Sequence, residues 1–322
     1  MNKHQLADNL AASAALVLTG KKKYFSVNTD CPPLKECIVG TEVRASHLKH
    51  IPPDKWGHQE IAARTPFGPT DAAFCVEKWL SSEKPTIIYH HGNNERPFDY
   101  RKSAKNTFNS IFNPASPVSG DGDQLQANLI NLRAPFHNGT LSEYTTAMQD
   151  VKNFVSMIST SVVLIQDLIE SLRHYHMGPI LVAGISLGGW ITNVHRTYFN
   201  TAHSYIPIFA GAALAETFLT SAYRKLTGET ALGDPERLRR AFNFEDDFQK
   251  VTDTNVFPLL AQFDQYIDFD RQKQSYGAVE PTVLETGHIT GMLKTDALQN
   301  HITEQLQNCL QKGSDHLSLN PV

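Results

Sequence analysis

Short apolar runs alternate with longer stretches of helical periodicity over most of the chain. Such alternation is typical of strand-helix-strand units that build a mostly parallel sheet. The runs are apolar on both faces, as buried parallel strands are. The predicted strands are residues 86–89, 127–132, 180–183, 205–209, 256–261 and 282–285.

Helical patterns lie between these strands, at residues 101–112, 143–174, 189–199 and 295–310. The second pattern is too long for one typical helix, and we expect it to break near residues 159–161, where serine and β-branched residues crowd. Upstream, residues 37–39 and 74–77 predict strands of an antiparallel edge.

Two segments interrupt this regular order. Residues 113–123 combine proline, glycine, serine and aspartate, which predicts a loop. Residues 216–250 are charged and helical, and they predict a cap insertion above the sheet within a single domain that spans residues 1–322.

The N-terminus carries a small apolar run at residues 10–18, after Lys3 and before the lysines at 21–23. It is too short to span a bilayer, and no other segment reaches that length, so we expect no stable membrane insertion. Asp8 interrupts a signal-like pattern, which favours a surface helix packed on the body. A cleaved signal or a membrane-touching helix is the alternative.

Composition sets broad limits. The chain has 322 residues, 41% of them hydrophobic and 19% charged, with a net charge of −4, which is typical of a soluble globular protein and argues against a nucleic-acid partner. Four scattered cysteines predict neither a disulfide framework nor a zinc site. We therefore expect a cytoplasmic protein; an exported form, in which Cys31 and Cys37 could bridge, requires residues 1–20 to act as a signal.

The clearest chemical motif follows the strand at residues 180–183, where residues 184–189 read Gly-Ile-Ser-Leu-Gly-Gly. A G-x-S-x-G sequence between a strand and a helix places its serine on a sharp, strained turn, and the glycines let strand and helix approach. Ser186 is the candidate nucleophile. The alternative is a serine that only caps a helix in a glycine-rich turn.

An attacking serine needs hydrogen-bond donors for the oxyanion that forms on the carbonyl. The Leu187 N–H, at the start of the helix, is one candidate, and the Asn93 N–H after Gly92 is the other. We expect His90 and His91 to serve in strand-end packing rather than proton transfer. Adjacent residues of a strand point to opposite faces, which makes these two poor joint metal ligands.

Position along the chain selects the base and its acid. His288 follows the last predicted strand and therefore lies at the sheet edge that carries Ser186. His174, His176 and His195 fall on the opposite edge or inside a helix. Asp264, on the loop after the penultimate strand, is the candidate acid that orients the imidazole, with Asp268 and Asp270 as rivals.

With these residues in place, the chain resembles a serine hydrolase of the α/β-hydrolase superfamily over residues 70–310. The resemblance rests on the motifs at residues 91–93, 184–189, 261–264 and 287–288, in the family's order Ser, Asp, His. It implies a mostly parallel eight-stranded sheet with helices on both faces, a cap after the sixth strand and an acyl-enzyme. Ala261, where many members have glycine, and residues 131–137 depart from the family pattern. Relatives that cleave haloalkanes or epoxides use an aspartate nucleophile, and Ser186 argues against both.

The predicted function is hydrolysis of a carboxylic ester, thioester or amide by Ser186, His288 and Asp264. The partner is a small-molecule acyl substrate, with no cofactor and no metal implied; neither subfamily nor oligomeric state follows from the sequence. The alternatives are a non-catalytic member that binds a ligand or protein, and a peptidase or acyltransferase that uses the same residues.

Overall fold

A computed structural model describes residues 1–20, 22–101, 104–112 and 125–318, with side chains described up to residue 311. The predicted loop at 113–123 lies outside the described residues. The strands are β1 (Glu42–Val43), β2 (His58–Thr65), β3 (Gly68–Lys78), β4 (Thr86–His90), β5 (Asn128–Arg133), β6 (Ile180–Ile185), β7 (Ser204–Ile208), β8 (Leu259–Ala261) and β9 (Thr282–Leu284). The helices are α1 (Lys3–Leu18), α2 (Leu34–Val39), α3 (Thr107–Phe112), α4 (Leu141–Ala147), α5 (Val151–Leu172), α6 (Leu187–Tyr198), α7 (Leu214–Leu219), α8 (Glu229–Gly233), α9 (Pro235–Phe242), α10 (Glu245–Gln249), α11 (Phe269–Ser275), α12 (His288–Met292) and α13 (Thr295–Ser318). Short 3-10 helices occupy Ser46–His50, Pro53–Lys55 and Ala222–Leu226.

The strands form one sheet in the order β1-β2-β3-β5-β4-β6-β7-β8-β9. Strands β1, β2 and β3 are antiparallel, and β3 also pairs antiparallel with β5. From β5 through β9 every pairing is parallel. The predicted number of eight strands is one too few for the described part of the chain, because the two-residue β1 adds an edge beside β2.

The two faces of the sheet carry separate apolar layers. Ile88 and Val182 face the side covered by α5 and α6, and their neighbours Ile87 and Leu181 face the side covered by α3 and α13. All four side chains are fully buried. This explains why the central strands are apolar on both faces in the sequence, as the strand prediction assumed.

Predictions for the parallel strands are confirmed within one or two residues, except that β8 starts at Leu259 rather than at residue 256. Residues before β8 still pair with β7, since Tyr205 N donates to Asn255 O and Phe257 N donates to Tyr205 O. Pro207 of β7 leaves a gap in this ladder because it has no N–H to donate, whereas Pro258 faces β9, where its carbonyl accepts from Thr282 N at 2.9 Å.

Two predictions upstream of β6 are wrong. Residues 37–39 form the end of α2 rather than a strand, because the three buried residues of α2, Leu34, Cys37 and Ile38, repeat at helical spacing. The long helical pattern breaks at residues 148–150, not at 159–161. There Asp150 Oδ1 accepts a hydrogen bond from Lys152 N at 2.9 Å and caps a new helix, α5.

Helix α5 reaches the length expected of a membrane-spanning helix, contrary to the expectation from the sequence. Its 22 residues are long enough to cross a bilayer, and an 18-residue window within them has a mean hydropathy of 1.4. However, 78% of that window is buried inside the protein, against α2, α6 and β3. A core helix of a soluble protein has the same composition.

The N-terminal run belongs to a surface helix packed on the body, as predicted, and this helix begins earlier, at Lys3. Helix α1 contacts α12 and the 3-10 helix Ala222–Leu226. Residues 216–250 contain the end of α7, that 3-10 helix and helices α8, α9 and α10. They follow β7 in the chain, and α10 packs on α6.

Candidate active site

Ser186 lies on the turn between β6 and α6, with φ 54° and ψ −111°. This left-handed backbone is costly for a residue with a side chain, and such strain clusters at functional turns. The Ser186 N–H donates to Ile208 O at 2.8 Å and fixes the turn on the neighbouring strand. The hydroxyl is therefore presented at the carboxyl edge of the sheet.

The glycines around Ser186 are required by close backbone contacts. A Cβ on Gly184 would lie 2.4 Å from Gly188 C, and one on Gly188 would lie 2.1 Å from His90 O. A Cβ on Gly189 would lie 2.7 Å from Ile208 O. Each distance is far below van der Waals contact, so α6 can start this close to the sheet only with glycine at these positions.

Ser186, His288 and Asp264 form a hydrogen-bonded chain. His288 Nε2 lies 3.1 Å from Ser186 Oγ, and His288 Nδ1 lies 2.7 Å from Asp264 Oδ2. His288 is 4% exposed and Asp264 5% exposed, whereas Ser186 is partly accessible. The carboxylate at Nδ1 favours the tautomer that carries its proton there, which leaves Nε2 as an acceptor for the serine hydroxyl.

The loop after β8 distinguishes Asp264 from its rivals. Asp264 Oδ1 accepts hydrogen bonds from Tyr266 N at 2.7 Å and from Ile267 N at 2.8 Å, which orients the other oxygen toward His288. Burial raises the pKa of Asp264, and the neighbouring His288 opposes this rise. Asp268 instead accepts from Arg271 N at the start of α11, and Asp270 is exposed.

The turn after β4 places Asn93 between three tyrosines from separate parts of the chain. The Asn93 side-chain amide donates to Tyr24 Oη at 2.9 Å and to Tyr223 Oη at 3.1 Å, and its carbonyl accepts from the Tyr144 hydroxyl. Burial raises the pKa of all three phenols, so they stay neutral. With its side chain held in this way, the Asn93 backbone has little freedom to rotate.

A buried carboxylate that the sequence analysis missed holds the same turn. Glu95, 1% exposed, accepts from Gly92 N at 3.1 Å and from both the N–H and the hydroxyl of Thr107 at 2.7 Å. A Cβ on Gly92 would lie 2.6 Å from Glu95 Oε1, so the glycine makes room for the carboxylate. Within the described residues, the backbone N–H groups of Asn93 and Leu187 donate no hydrogen bond.

Comparison with solved structures identifies the fold of this chain. No family model and no curated protein matches this sequence. Acetyl xylan esterase 1 from Thermoanaerobacterium sp. JW/SL YS485 is similar in structure, with a TM-score of 0.51 and 12% sequence identity, over 88% of this chain and 96% of that one. The chain has the α/β-hydrolase fold.

Two further structures are similar at lower scores. An acylaminoacyl peptidase from Pyrococcus horikoshii has a TM-score of 0.46 and 13% identity, over 76% of this chain and 39% of that one. An esterase from Pyrobaculum calidifontis has a TM-score of 0.46 and 11% identity, over 93% and 97%. This chain spans about two fifths of the peptidase.

Two sequence features that were unusual for the resemblance, Ala261 and residues 131–137, leave the contacts of the candidate site in place. Ala261 is the last residue of β8, and Asp264 three residues later still reaches His288. In the unusual segment after β5, Ala134 N donates to His91 Nε2 at 3.0 Å. This segment therefore supports the turn that carries Asn93.

His90 and His91 lie under this turn as neutral rings. Their rings stack at 4.8 Å, so the expectation that they point to opposite faces is wrong, because β4 ends at His90. His90 Nε2 lies 3.2 Å from Ser161 Oγ, and His91 Nδ1 lies 2.6 Å from Gly92 O. Burial lowers the pKa of His90 to about 3 and the pKa of His91 well below its ordinary value. Among the described residues no group of His, Cys, Asp and Glu could hold a metal ion.

The other histidines weighed as bases lie away from Ser186. His176 Nε2 is 3.2 Å from Thr86 Oγ1, at the opposite end of β4 from the candidate site. His195, buried inside α6, has its Nδ1 3.1 Å from Tyr205 Oη. Of the candidate bases weighed from the sequence, His288 is the one that the structure brings to the serine.

Proposed function

We propose that this protein is a serine hydrolase that cleaves a carboxylic ester, thioester or amide through an acyl-enzyme. The observation that supports it is the chain from Ser186 Oγ through His288 to Asp264, at 3.1 and 2.7 Å, on a strained strand-to-helix turn. A helix-capping serine has no need of a buried imidazole at its hydroxyl, nor of a buried carboxylate behind that imidazole.

The reaction follows from these positions. Ser186 Oγ attacks the acyl carbon while its proton moves to His288 Nε2, and Asp264 stabilises the imidazolium that forms. The N–H groups of Leu187 and Asn93 donate to the oxyanion. When the tetrahedral intermediate collapses, His288 returns the proton to the leaving group, and a water activated by the same imidazole then releases the acid.

The fold comparison supports the coarser part of this proposal, since the structural neighbour at a TM-score of 0.51 is named an acetyl xylan esterase. A non-catalytic binding protein would not require nucleophile, imidazole, carboxylate and two oriented N–H groups together. We further propose that residues 216–250 act as a cap, because Tyr223 of this segment reaches Asn93. The protein is proposed to act in the cytoplasm on a small acyl substrate.

The proposal predicts that a fluorophosphonate probe labels the purified protein at one residue, Ser186. Intact mass and peptide mapping measure the adduct. The Ser186→Ala variant loses labelling, and His288→Ala slows it by several orders of magnitude, because the two groups act as a unit. The exposed serine of α4 supplies the matched control, and Ser142→Ala keeps full labelling.

Turnover of matched acetyl and butyryl esters, thioesters and anilides identifies the bond that is cleaved. Faster cleavage of anilides than of esters would assign a peptidase. A folded wild-type protein that neither reacts with the probe nor cleaves any member of this panel would contradict the proposed function and favour the non-catalytic alternative.

A further inference from the structure

Helix α1, from the opposite end of the sequence, lies against both segments that carry the Asp264–His288 pair, the start of α12 and the loop after β8. Its Asp8 is fully buried. Asp8 Oδ2 accepts hydrogen bonds from Gln265 N at 3.1 Å and from His288 N at 2.9 Å, and its Oδ1 accepts from Ile289 N at 2.9 Å. One carboxylate therefore joins the backbone next to the acid with the backbone of the histidine itself.

These contacts make Asp8 a helix cap supplied by a distant part of the chain. Helix α12 starts at His288, and Gly287 at its N-cap position makes no side-chain capping bond. The Asp8 carboxylate accepts hydrogen bonds from the first two N–H groups of α12. In most helices an Asp or Ser at the N-cap position accepts from some of the free N–H groups of the first turn. A Cβ on Gly287 would lie 2.8 Å from Asp8 Oδ2, so the glycine of the Gly-His pair leaves space for this carboxylate.

Further contacts of α1 hold the same two segments. The Tyr266 hydroxyl donates to Asp8 O at 3.0 Å, and the Tyr266 ring packs on His288 with centroids 5.1 Å apart. His4 Nδ1 lies 2.8 Å from Thr290 Oγ1 in α12. The carboxylate is thus placed rigidly by its own helix, as a residue that positions others must be.

We propose that Asp8 is a positioning residue, whose carboxylate fixes the backbone of His288 and of the Asp264 loop so that the imidazole meets Ser186. The inference rests on the proposed function, because it assigns Asp8 a part in that same reaction. Misplacement of a reacting group by about 1 Å costs about 10²-fold in rate. Asp8 also brings a negative charge near Asp264 and raises the pKa of that carboxyl.

Asp8→Asn is the test variant, because it keeps the shape but turns an NH₂ toward backbone N–H groups. We expect the rate of fluorophosphonate labelling at Ser186 to fall about 10²-fold. In turnover of the best ester, kcat falls and KM changes little, since Asp8 lies behind the pair and does not contact substrate. The NMR resonance of the proton between His288 Nδ1 and Asp264 shifts or broadens.

Two control variants in α1 separate positioning from general loosening of the helix. Ala12 is fully buried on α1, so Ala12→Gly weakens the packing of the helix while the carboxylate remains. Asn9→Ala removes a second contact of α1, in which the Lys225 ammonium donates to Asn9 Oδ1. Both variants should be labelled at close to the wild-type rate at temperatures below their unfolding.

The outcomes are distinct. If Asp8→Asn is folded and labelled at the wild-type rate, or if Ala12→Gly slows labelling equally, the positioning role is wrong. If the wild type itself is not labelled, the proposed function fails. The NMR resonance then still decides whether Asp8 orders the His288–Asp264 pair, because this readout needs no activity.

Discussion

Glu95 satisfies three donors at once, and this makes it the residue on which the Asn93 turn most depends. A buried carboxylate is tolerated only where hydrogen bonds replace its lost hydration, and Gly92 and Thr107 supply them here. Replacing it by an amide turns a donor toward another donor. The consequence reaches Asn93, whose N–H follows directly after Gly92.

We predict that Glu95→Gln lowers the free energy of unfolding by about 1–3 kcal/mol, because a buried donor loses its acceptor. It should also slow fluorophosphonate labelling about 10²-fold or more, since a displaced oxyanion donor costs about that much. Urea unfolding and labelling kinetics measure the two effects. Glu83→Gln, at an exposed glutamate, should change neither. Unchanged labelling in a folded Glu95→Gln protein would remove Asn93 from the oxyanion site.

Residues at the ends of strands could be found from the sequence, whereas those that support them could not. Ser186, His288 and Asp264 follow recognisable strands, and parallel strands bring their carboxyl ends to one edge. Glu95 and Asp8 accept hydrogen bonds from backbone N–H groups. Every residue except proline has such a group, so no pattern of side chains in the sequence marks these contacts. The partners of Asp8 lie more than 250 positions away, so only the folded chain connects them.

At the scale of elements, the contact between β4 and α6 decides whether Ser186 is presented at all. The tightest point is Gly188, whose missing Cβ leaves space for the carbonyl of His90. Because that atom belongs to the backbone of the central strand, it cannot rotate away. Any side chain at this position must push helix and strand apart.

We predict that Gly188→Ala destabilises the protein by about 1–3 kcal/mol, the usual cost of an overpacked core, and abolishes labelling of Ser186. The measurements are the urea midpoint and the probe adduct. Gly233→Ala is the matched control at an exposed helical glycine, because no atom of the described residues lies within 4 Å of the place its Cβ would take, and alanine favours helix. Retained labelling at the wild-type rate in Gly188→Ala would show that the contact relaxes.

Elements with a continuous apolar run were predicted more accurately than elements at the edge. Strand β2 was missed because its exposed face carries His58, Glu60 and Arg64, so it shows alternation with small residues instead of a run. The segment at residues 37–39 was too short for its helical spacing to be recognised without Leu34. The break between α4 and α5 depends on the capping by Asp150 rather than on low helix propensity.

For the whole molecule, the sheet predicted from alternating strands and helices is correct from β4 onward. The contribution of the N-terminus to the candidate site could not be predicted from the sequence. Residues 1–30 supply Asp8 to the His288 loop and Tyr24 to Asn93. The Tyr24 N–H also donates to Leu226 O in the segment at 216–250. The candidate site is therefore assembled from both ends of the chain.

The whole protein also buries histidines that remain neutral, and this determines how its stability changes with pH. Burial lowers the pKa of His90 and of His195 to about 3, and the pKa of His137 to about 4. The unfolded chain binds a proton at each site near pH 6.5. Below that pH the unfolded state therefore holds more protons than the folded state, and the free energy of unfolding falls as the pH falls. Burial raises the pKa of Asp167 to about 6 and also raises the pKa of Asp264, and these two carboxyl groups oppose the trend set by the histidines.

We predict that the urea midpoint falls steadily from pH 7 to pH 5, with each fully buried histidine contributing up to about 1.4 kcal/mol per pH unit. A substitution at His195 tests the sign of this change in unfolding free energy with pH, because His195 lies outside the candidate site and its ring stacks on Phe199 at a centroid distance of 5.4 Å. In His195→Phe the stacked ring remains and the titrating group is gone, so the decrease in unfolding free energy with acid should be shallower by up to that amount. His47→Phe, at an exposed histidine, should keep the wild-type slope. An unchanged slope in His195→Phe would mean that His195 does not remain neutral in the folded protein while the unfolded chain is protonated.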